Sequence, residues 1–578
     1  MTETVAGRIT SISGWVVRAA AKTPLALREV VLVGDERLVG EVIALDRREA
    51  TIQVYEETEG VAPGDPLFGT GEPLSIELGP GLLGSVFDGA QRPLEALAAS
   101  EGDMLRRGSR LPALDRQKQW KFERRIDAGA DVQPGTIIGL VQETVAIAHP
   151  IIVPPNVAGR LTWIAEAGLH GVDDRIATIE GESGNVHTLT MLQRWRARVP
   201  RPVRERLPLD VPLVTGQRVL DTFFPLARGA AACMPGGFGT GKTVTQHQLC
   251  RWSDADIIIF VGCGERGNEM TQLLRELPQL VDPRTQRLLS DRTVLIANTS
   301  NMPVSAREAS LFTGVTIGEY YRDLGYNVLL LADSISRWAE ALREISGRLG
   351  EMPAEEGYPP YLSSALASFF ERSGNVTTLS GTTGSLTLIA AISPPAGDIT
   401  EPVTRHAQRF VRTFWTLDRQ LASARVFPAV SIQASYSDVP VGVEQWWSTN
   451  VSPEWSSTRA EALAFLEEAA RAEETARLVG MESLPDREQF QLRLSDAFRE
   501  GFLQQNAYDA VDACCAPKRQ MALLDTFMRL RRTGLERIAA GVEASKLCAS
   551  GVLSEVQRIK TKAALPDPQS LAEELAAC

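Results

Sequence analysis

Apolar and polar positions change rhythm along this chain. Up to about residue 75 the apolar positions fall in short β-branched runs, VAGRIT, LVGEVIAL and ATIQVYEE, broken by the turn-rich pieces GVAPGDP and GTGEP. Strands this short and this closely spaced predict a small closed β-barrel with a structural role. Residues 76–110 read as a connector. Residues 111–200 read as a second all-β piece, in which VQPGTIIGLVQE and HPIIVPPNVAGRLTWIAEAG are punctuated by Pro and Gly. The pattern is like the sandwiched barrel of lipoyl carriers. No lysine stands at a clear hairpin tip, so a structural or docking insertion is expected. Over 201–440 the runs lengthen to ADIIIFVGCG, RTVLIANTS, NVLLLADS and GSLTLIAAIS, nearly continuous in apolar residues. Strands buried on both faces of a parallel sheet look like this. Helical stretches such as REASLFTGVTIGEYYRDLG lie between them, which predicts a doubly wound α/β domain. From 441 to 578 the apolar positions recur every three or four residues, as in SSTRAEALAFLEEAARAEETARLVG, and predict a helical bundle.

Composition narrows this picture. The chain has 578 residues, 44% hydrophobic and 23% charged, which excludes a disordered chain, a collagen-like fibre and a coiled-coil rod. No run of about 18 uncharged apolar residues occurs, so no membrane span is expected. The start, MTETVAGRIT, has no apolar core of the signal-peptide kind. Sixty basic and 72 acidic residues give a net charge of −12, a poor match for nucleic acid. Seven cysteines without a CxxC pair and five scattered histidines suggest neither disulfides nor a zinc site. A reduced, cytoplasmic protein is expected.

The chemistry gathers in the α/β zone. Gly236-Gly237-Phe238-Gly239-Thr240-Gly241-Lys242-Thr243 fits the phosphate-binding pattern GxxxxGK[ST]. TVTQHQLCRW follows and reads as helix, so the loop opens onto a helix N-terminus that attracts anions. Glycines let backbone N–H groups approach phosphate oxygens. Lys242 supplies a charge for the β and γ phosphates, and Thr243 a hydroxyl for magnesium. The nucleotide-binding set runs from Gly236 through Val244. In NVLLLADSISRW an apolar strand ends in Asp333, a position facing the crevice of an open α/β sheet. Asp333 reads either as a second magnesium group or as a helix N-cap. In FVGCGERGNEM the adjacent Glu265 and Arg266 emerge from another strand. They read either as a water-orienting carboxylate with a cation for γ-phosphate charge, or as a surface pair of Arg266 with Glu269. Phe427 lies in a Pro-flanked loop, and Phe502 and Tyr508 open a helical segment in EGFLQQNAY. These aromatics read as core packing or as stacking surfaces for adenine.

The segments QVYEETEG, IELGPGLLGSVFDGAQRPL, PGGFGTGKTVTQH, VGCGERGNEMTQLL, LIANTSNMPVSAREAS, LADSISRWAEALREISGRLGEMPAEEGYPPYL, ISPPAGDITEPVT and FLQQNAYDAVDA stand in this order. Together they resemble the catalytic A subunit of vacuolar/archaeal-type (V/A-type) rotary ATPases, over nearly the whole chain. The resemblance implies an N-terminal β-barrel, a β-rich insertion, a P-loop α/β domain of RecA-like type and a C-terminal helical domain. It implies an ATP/ADP site with Mg2+, on a chain that alternates with B subunits in an A3B3 ring. Stalk subunits and a membrane sector for H+ or Na+ complete such a machine, and a neighbouring B subunit contributes an arginine finger. The chain would then sit on the cytoplasmic face of a membrane, held there by its partners. By resemblance Lys242 and Thr243 are the phosphate and magnesium residues, Glu265 activates water and Arg266 contacts the γ-phosphate. Asp333 takes the strand-end magnesium position, Phe427 packs on adenine, and Phe502 and Tyr508 lie in the segment closing that pocket. Two departures stand out. The phosphate loop reads PGGFGTGKT where GPFG is common, and ISPPAGDIT replaces the commoner SPPGGD. Ala396 matters only if its position needs a positive φ. Two other readings are a hexameric P-loop translocase, of export-ATPase or RNA-helicase type, and a nucleotide-binding component that holds ATP without cleaving it. The acidic charge and the insertion count against the first, and the glutamate against the second.

Overall fold

The computed structural model describes residues 4–47, 49–102 and 106–577. The chain divides into two compact units. One is formed by Met1–Leu207, Ala255–Ile392 and Thr400–Phe410, the other by Pro208–Asp254, Ser393–Ile399 and Val411–Cys578.

The first unit begins with six strands, β1 (Thr4–Ser13), β2 (Val16–Ala21), β3 (Glu29–Val33), β4 (Leu38–Asp46), β5 (Glu49–Val54) and β6 (Pro66–Pro73). They close into a barrel in the order β1-β2-β5-β4-β3-β6. Alternation along the strands points Val17, Val31, Val33, Ile52 and Leu67 into a dry interior. The β-rich insertion is built from two four-stranded sheets. One has Ile137–Gln142 and Trp120–Arg124 at its centre, the other Gly159–Ile164 and Ala177–Glu180. The strand Gln193–Arg196 then returns to pair with Ser75–Leu78 ahead of the insertion.

The rest of this unit is the α/β layer. Val86–Phe87, Thr293–Thr299, Ile257–Glu265, Asn327–Asp333 and Thr383–Ile392 lie side by side in parallel. Their apolar runs are buried almost end to end, as the pattern predicts. The helix Val304–Asp323 packs on this layer with every residue but Arg307 buried. It carries Glu308, Glu319, Arg322 and Asp323 into that buried position, which an amphipathic stripe cannot describe.

The second unit holds the strand Ala231–Pro235, parallel to Thr413–Phe414, and the helix Lys242–Trp252. Its C-terminal part is helical, dominated by Trp455–Val479, Asp486–Phe498 and Pro517–Ala539. Their core is aromatic. Phe498 stacks on Phe502 at 5.0 Å and meets Phe465 and Phe527 edge-on. Among the described residues no helix is long and apolar enough to cross a membrane.

Candidate active site

The strand Ala231–Pro235 runs into the glycine loop, and the helix begins at Lys242. Gly241 is the N-cap in a left-handed conformation, φ 84°. A side chain there would be strained, and a Cβ would lie 3.2 Å from the Phe427 ring. At Gly236 a Cβ would meet Thr240 Oγ1 at 2.6 Å and Leu417 Cβ at 2.8 Å, so the loop closes only without one. Thr240 Oγ1 donates to the Gly237 carbonyl at 2.8 Å and braces the turn. Phe238 and Val244 are exposed, whereas Lys242 and Thr243 are half-buried at the first turn. The Lys242 ammonium donates to the Ser393 hydroxyl. The first N–H groups of any helix have no intrahelical acceptor. Joined here by a lysine and a threonine hydroxyl, they form a donor-rich, cationic helix start of the kind that attracts anions.

In the first unit, Glu265 ends the strand Ile257–Glu265, and Arg266 is the N-cap of the helix Gly267–Glu276. Glu265 is half-buried and Arg266 exposed. Asp333 ends the adjacent parallel strand, in register with Gly262, and is 5% exposed. Ser334, not Asp333, occupies the N-cap of the next helix, and its side chain makes no cap bond. The two strands thus bring the Glu265 and Asp333 carboxylates to one edge of the sheet. Two arginines join them there. A Cβ on Gly264 would lie 2.8 Å from Arg337 Cβ and 3.0 Å from Arg307 Nε. The Arg337 guanidinium is held above its ordinary value chiefly by its hydrogen bond to Glu340, with the Glu265 charge contributing. Burial pushes the neighbouring Cys263 thiol up to about 12, so it is inert at neutral pH.

The aromatics separate. Phe427 is 39% exposed, with its ring beside Gly241. Phe502 is fully buried, stacked on Phe498 and edge-on to Phe223. Its ring has no free face, so it is a core residue and not a stacking surface for a base. Tyr508 is 87% exposed in a turn. The expected helix does not open at Phe502. Arg499–Leu503 is a π-turn that ends the preceding helix, and 504–516 is irregular. Side-chain bonds compete with a helical ladder there: Asp512 accepts from the Asn506 N–H at 2.7 Å, and Asp509 from the Val511 and Asp512 N–H groups at 2.8 Å. The segment still reaches Phe427 through its backbone, because the Gln505 N–H donates to the Phe427 carbonyl at 2.8 Å. Ala396 has φ 54°, so the position that matters only with a positive φ does have one.

Four family models match the chain in succession. They are the ATP synthase alpha/beta β-barrel domain over 9–71, the barrel-sandwich domain over 111–198, the nucleotide-binding domain over 216–437, and the C-terminal domain of V- and A-type ATP synthases over 444–547. The A subunit of the A-type ATP synthase of Methanopyrus kandleri is 50% identical over 97% of this chain and 95% of its own. The V-type ATP synthase alpha chain of Halothermothrix orenii is 50% identical over 96% of this chain and 94% of its own. This chain belongs to the family of A-type ATP synthase A subunits and V-type ATP synthase alpha chains.

Within that family the four-part architecture is the expected one. The assembled type III secretion ATPase EscN of enteropathogenic E. coli matches with a TM-score of 0.64 over 90% of this chain and 99% of its own, at 23% identity. That likeness speaks for the fold alone. Three residues near the family motifs escaped the motif reading. Ser393 meets Lys242 from far along the chain, and Arg307 and Arg337 flank Gly264 from two helices. The signal was present for all three, since Arg307 lies in LIANTSNMPVSAREAS, Arg337 in LADSISRWAEALREISGRLGEMPAEEGYPPYL and Ser393 in ISPPAGDITEPVT.

Proposed function

We propose that this chain is the catalytic subunit of a V/A-type rotary ATPase or synthase, coupling ATP hydrolysis or synthesis to H+ or Na+ movement through a membrane sector. The observation that carries the reading is the helix opening at Lys242, capped by a left-handed Gly241 and bonded to Ser393. Phosphate oxygens take the loop N–H groups, and Lys242 adds its charge. The Thr243 hydroxyl and the Asp333 carboxylate are hard oxygen donors of the kind Mg2+ prefers, Asp333 acting through water. Held by these two residues, Mg2+ would supply positive charge against the β and γ phosphates. Glu265 orients a water and accepts its proton as the water oxygen bonds to the γ-phosphorus and the bond to the β-phosphate oxygen breaks. Arg266 stabilises the charge on the equatorial oxygens. Arg307 and Arg337 keep the Glu265 edge cationic. Phe427 stacks on the adenine, and the backbone of 504–508 forms the wall beside it.

The relatives' names support membership of a multisubunit ATP synthase; our reading of its other parts is B subunits alternating in an A3B3 ring and lending an arginine finger, with central and peripheral stalks. Attachment to the cytoplasmic face of a membrane follows through those partners, and no nucleic acid is involved. Lys242→Ala in the reconstituted ring tests the reading. Turnover is expected to fall by about 10³-fold or more, as loss of a charge held on the transferring phosphoryl group implies. Turnover within twofold of wild type would end the proposal.

A further inference from the structure

Arg218 is a buried charge that the phosphate chemistry does not use. It begins the helix Arg218–Phe223 and is 1% exposed. Its bonds converge on the segment 502–512. Its backbone N–H donates to Gln505 Oε1 at 2.8 Å, its Nε to the Phe502 carbonyl at 2.7 Å, and its Nη2 to the Gln504 carbonyl at 2.8 Å. Nη1 pairs with Asp512 Oδ1 at 2.7 Å. The two carbonyls lie where the chain leaves its helix and have lost their helical donors. A planar guanidinium satisfies both and keeps one N–H edge for the carboxylate, which a point-charge ammonium cannot do. Asp512 in turn takes the Asn506 N–H at 2.7 Å.

What this fork organises is not generic core. The Gln505 N–H holds the Phe427 carbonyl at 2.8 Å, and Gln504 Nε2 holds the Arg425 carbonyl at 2.9 Å. Gln505 Nε2 also holds the Gly216 carbonyl at 2.8 Å, just before Arg218. Both glutamines that touch the Phe427 loop therefore meet Arg218, Gln504 through the guanidinium on its carbonyl, which Lys560 Nζ shares at 2.8 Å, and Gln505 through the Arg218 backbone N–H on its side chain. Phe427 sets its ring beside Gly241 of the phosphate loop. We propose that Arg218 is a positioning residue for nucleobase binding, which fixes the 502–512 segment so that the Phe427 ring stands ready beside the phosphate loop. This rests on the reading of Phe427 as the base-stacking ring.

The test compares binding of Mg-ATP with that of Mg-tripolyphosphate, which lacks a base, to the full chain. Arg218→Lys keeps a charge against Asp512 but loses the fork. The double variant Arg218→Met with Asp512→Leu removes the buried pair together and leaves Lys560, 3.8 Å from Asp512 Oδ2, bonded to the Gln504 carbonyl, which keeps the fold accessible. In both, ATP affinity is expected to fall about tenfold while tripolyphosphate affinity stays within about twofold, the scale of charge-assisted hydrogen bonds that only the base wall feels. An unchanged ratio of the two affinities in either folded variant overturns the proposal, and so does an equal loss for both ligands. Phe427→Ala separates the two ideas. If it lowers the ratio and Arg218→Lys does not, the positioning role fails. If Phe427→Ala leaves the ratio at the wild-type value, the base-stacking reading has failed and takes the proposal with it.

Discussion

The phosphate loop and the helix Val304–Asp323 handle charge in opposite ways. The loop 236–243 presents backbone N–H groups and one lysine, relies on left-handed glycines, and leaves Phe238 and Gly239 exposed. The helix buries its charges and balances them with partners from distant segments. Glu319 pairs with Arg372, itself 2% exposed, and its Oε2 also accepts the Arg201 N–H at 2.9 Å. Asp323 pairs with Arg201 at 2.6 Å, and Glu308 with Arg198. The β-rich insertion joins this helix through Glu143 and His149. His149 bridges Glu143 Oε2 at 2.6 Å and the Tyr320 hydroxyl at 2.7 Å. The Tyr321 hydroxyl donates to Glu143 as well. The loop, which we propose binds and releases phosphate, keeps its lysine partly accessible and its backbone open. A helix that several segments lean on uses buried pairs, which are hard to break one partner at a time.

Single substitutions sharpen that contrast. Arg372→Ala leaves the buried Glu319 with only the Arg201 N–H and Arg322 at 3.6 Å, and is expected to cost about 3–5 kcal/mol in denaturant unfolding. Lys242→Ala, expected to remove turnover, is expected to shift the same unfolding curve by no more than about 0.5 kcal/mol, as for a partly accessible side chain. If Lys242→Ala destabilised as much as Arg372→Ala, the two regions would not differ in kind.

Acid provides the next test. Burial alone would raise the Glu143 pKa, but the His149 ring and the Gly81 and Leu83 N–H groups outweigh it and hold the carboxyl below its ordinary 4.5. His149, Tyr320 and Tyr321 are the titratable groups that face it. A depressed folded pKa means that the unfolded chain binds the proton first as pH falls. The stabilisation is therefore complete above about pH 4.5 and disappears as pH drops through the folded value. Glu143→Gln should flatten the loss of stability below that pH, measured by thermal melts at fixed ionic strength. An equal slope in both proteins would remove Glu143 from the account.

The smallest effect is expected at Ala396, whose φ of 54° carries the cost of a Cβ in the left-handed region. Ala396→Gly should gain less than about 1 kcal/mol, because glycine also loses more freedom on folding. A measurable destabilisation would contradict the strain argument.

These regions were unequally legible in the sequence. The phosphate loop could be read because its chemistry is local: eight consecutive residues carry the glycines, the lysine and the helix start. The parallel strands could be read because burial on both faces writes an unbroken apolar run. The environment of Lys242 could not, because Ser393 comes from another part of the chain. The choice between the two readings of Phe502 was hidden for a related reason. An aromatic in a loop-like segment looks the same whether its ring faces a ligand or, as here, stacks on Phe498. The helix Val304–Asp323 was read as a helix, yet its burial on all sides depends on arginines about 50 to 120 residues away in sequence, which no local period encodes.

The most direct test of the central proposal is Glu265→Gln in the assembled ring, with nucleotide binding and single-site hydrolysis measured on the same preparation. The amide keeps the shape but cannot take a proton from water. The account predicts ATP binding within about threefold of wild type and hydrolysis slowed by at least about 10²-fold, the scale of general-base catalysis. Hydrolysis at the wild-type rate with binding intact would contradict it.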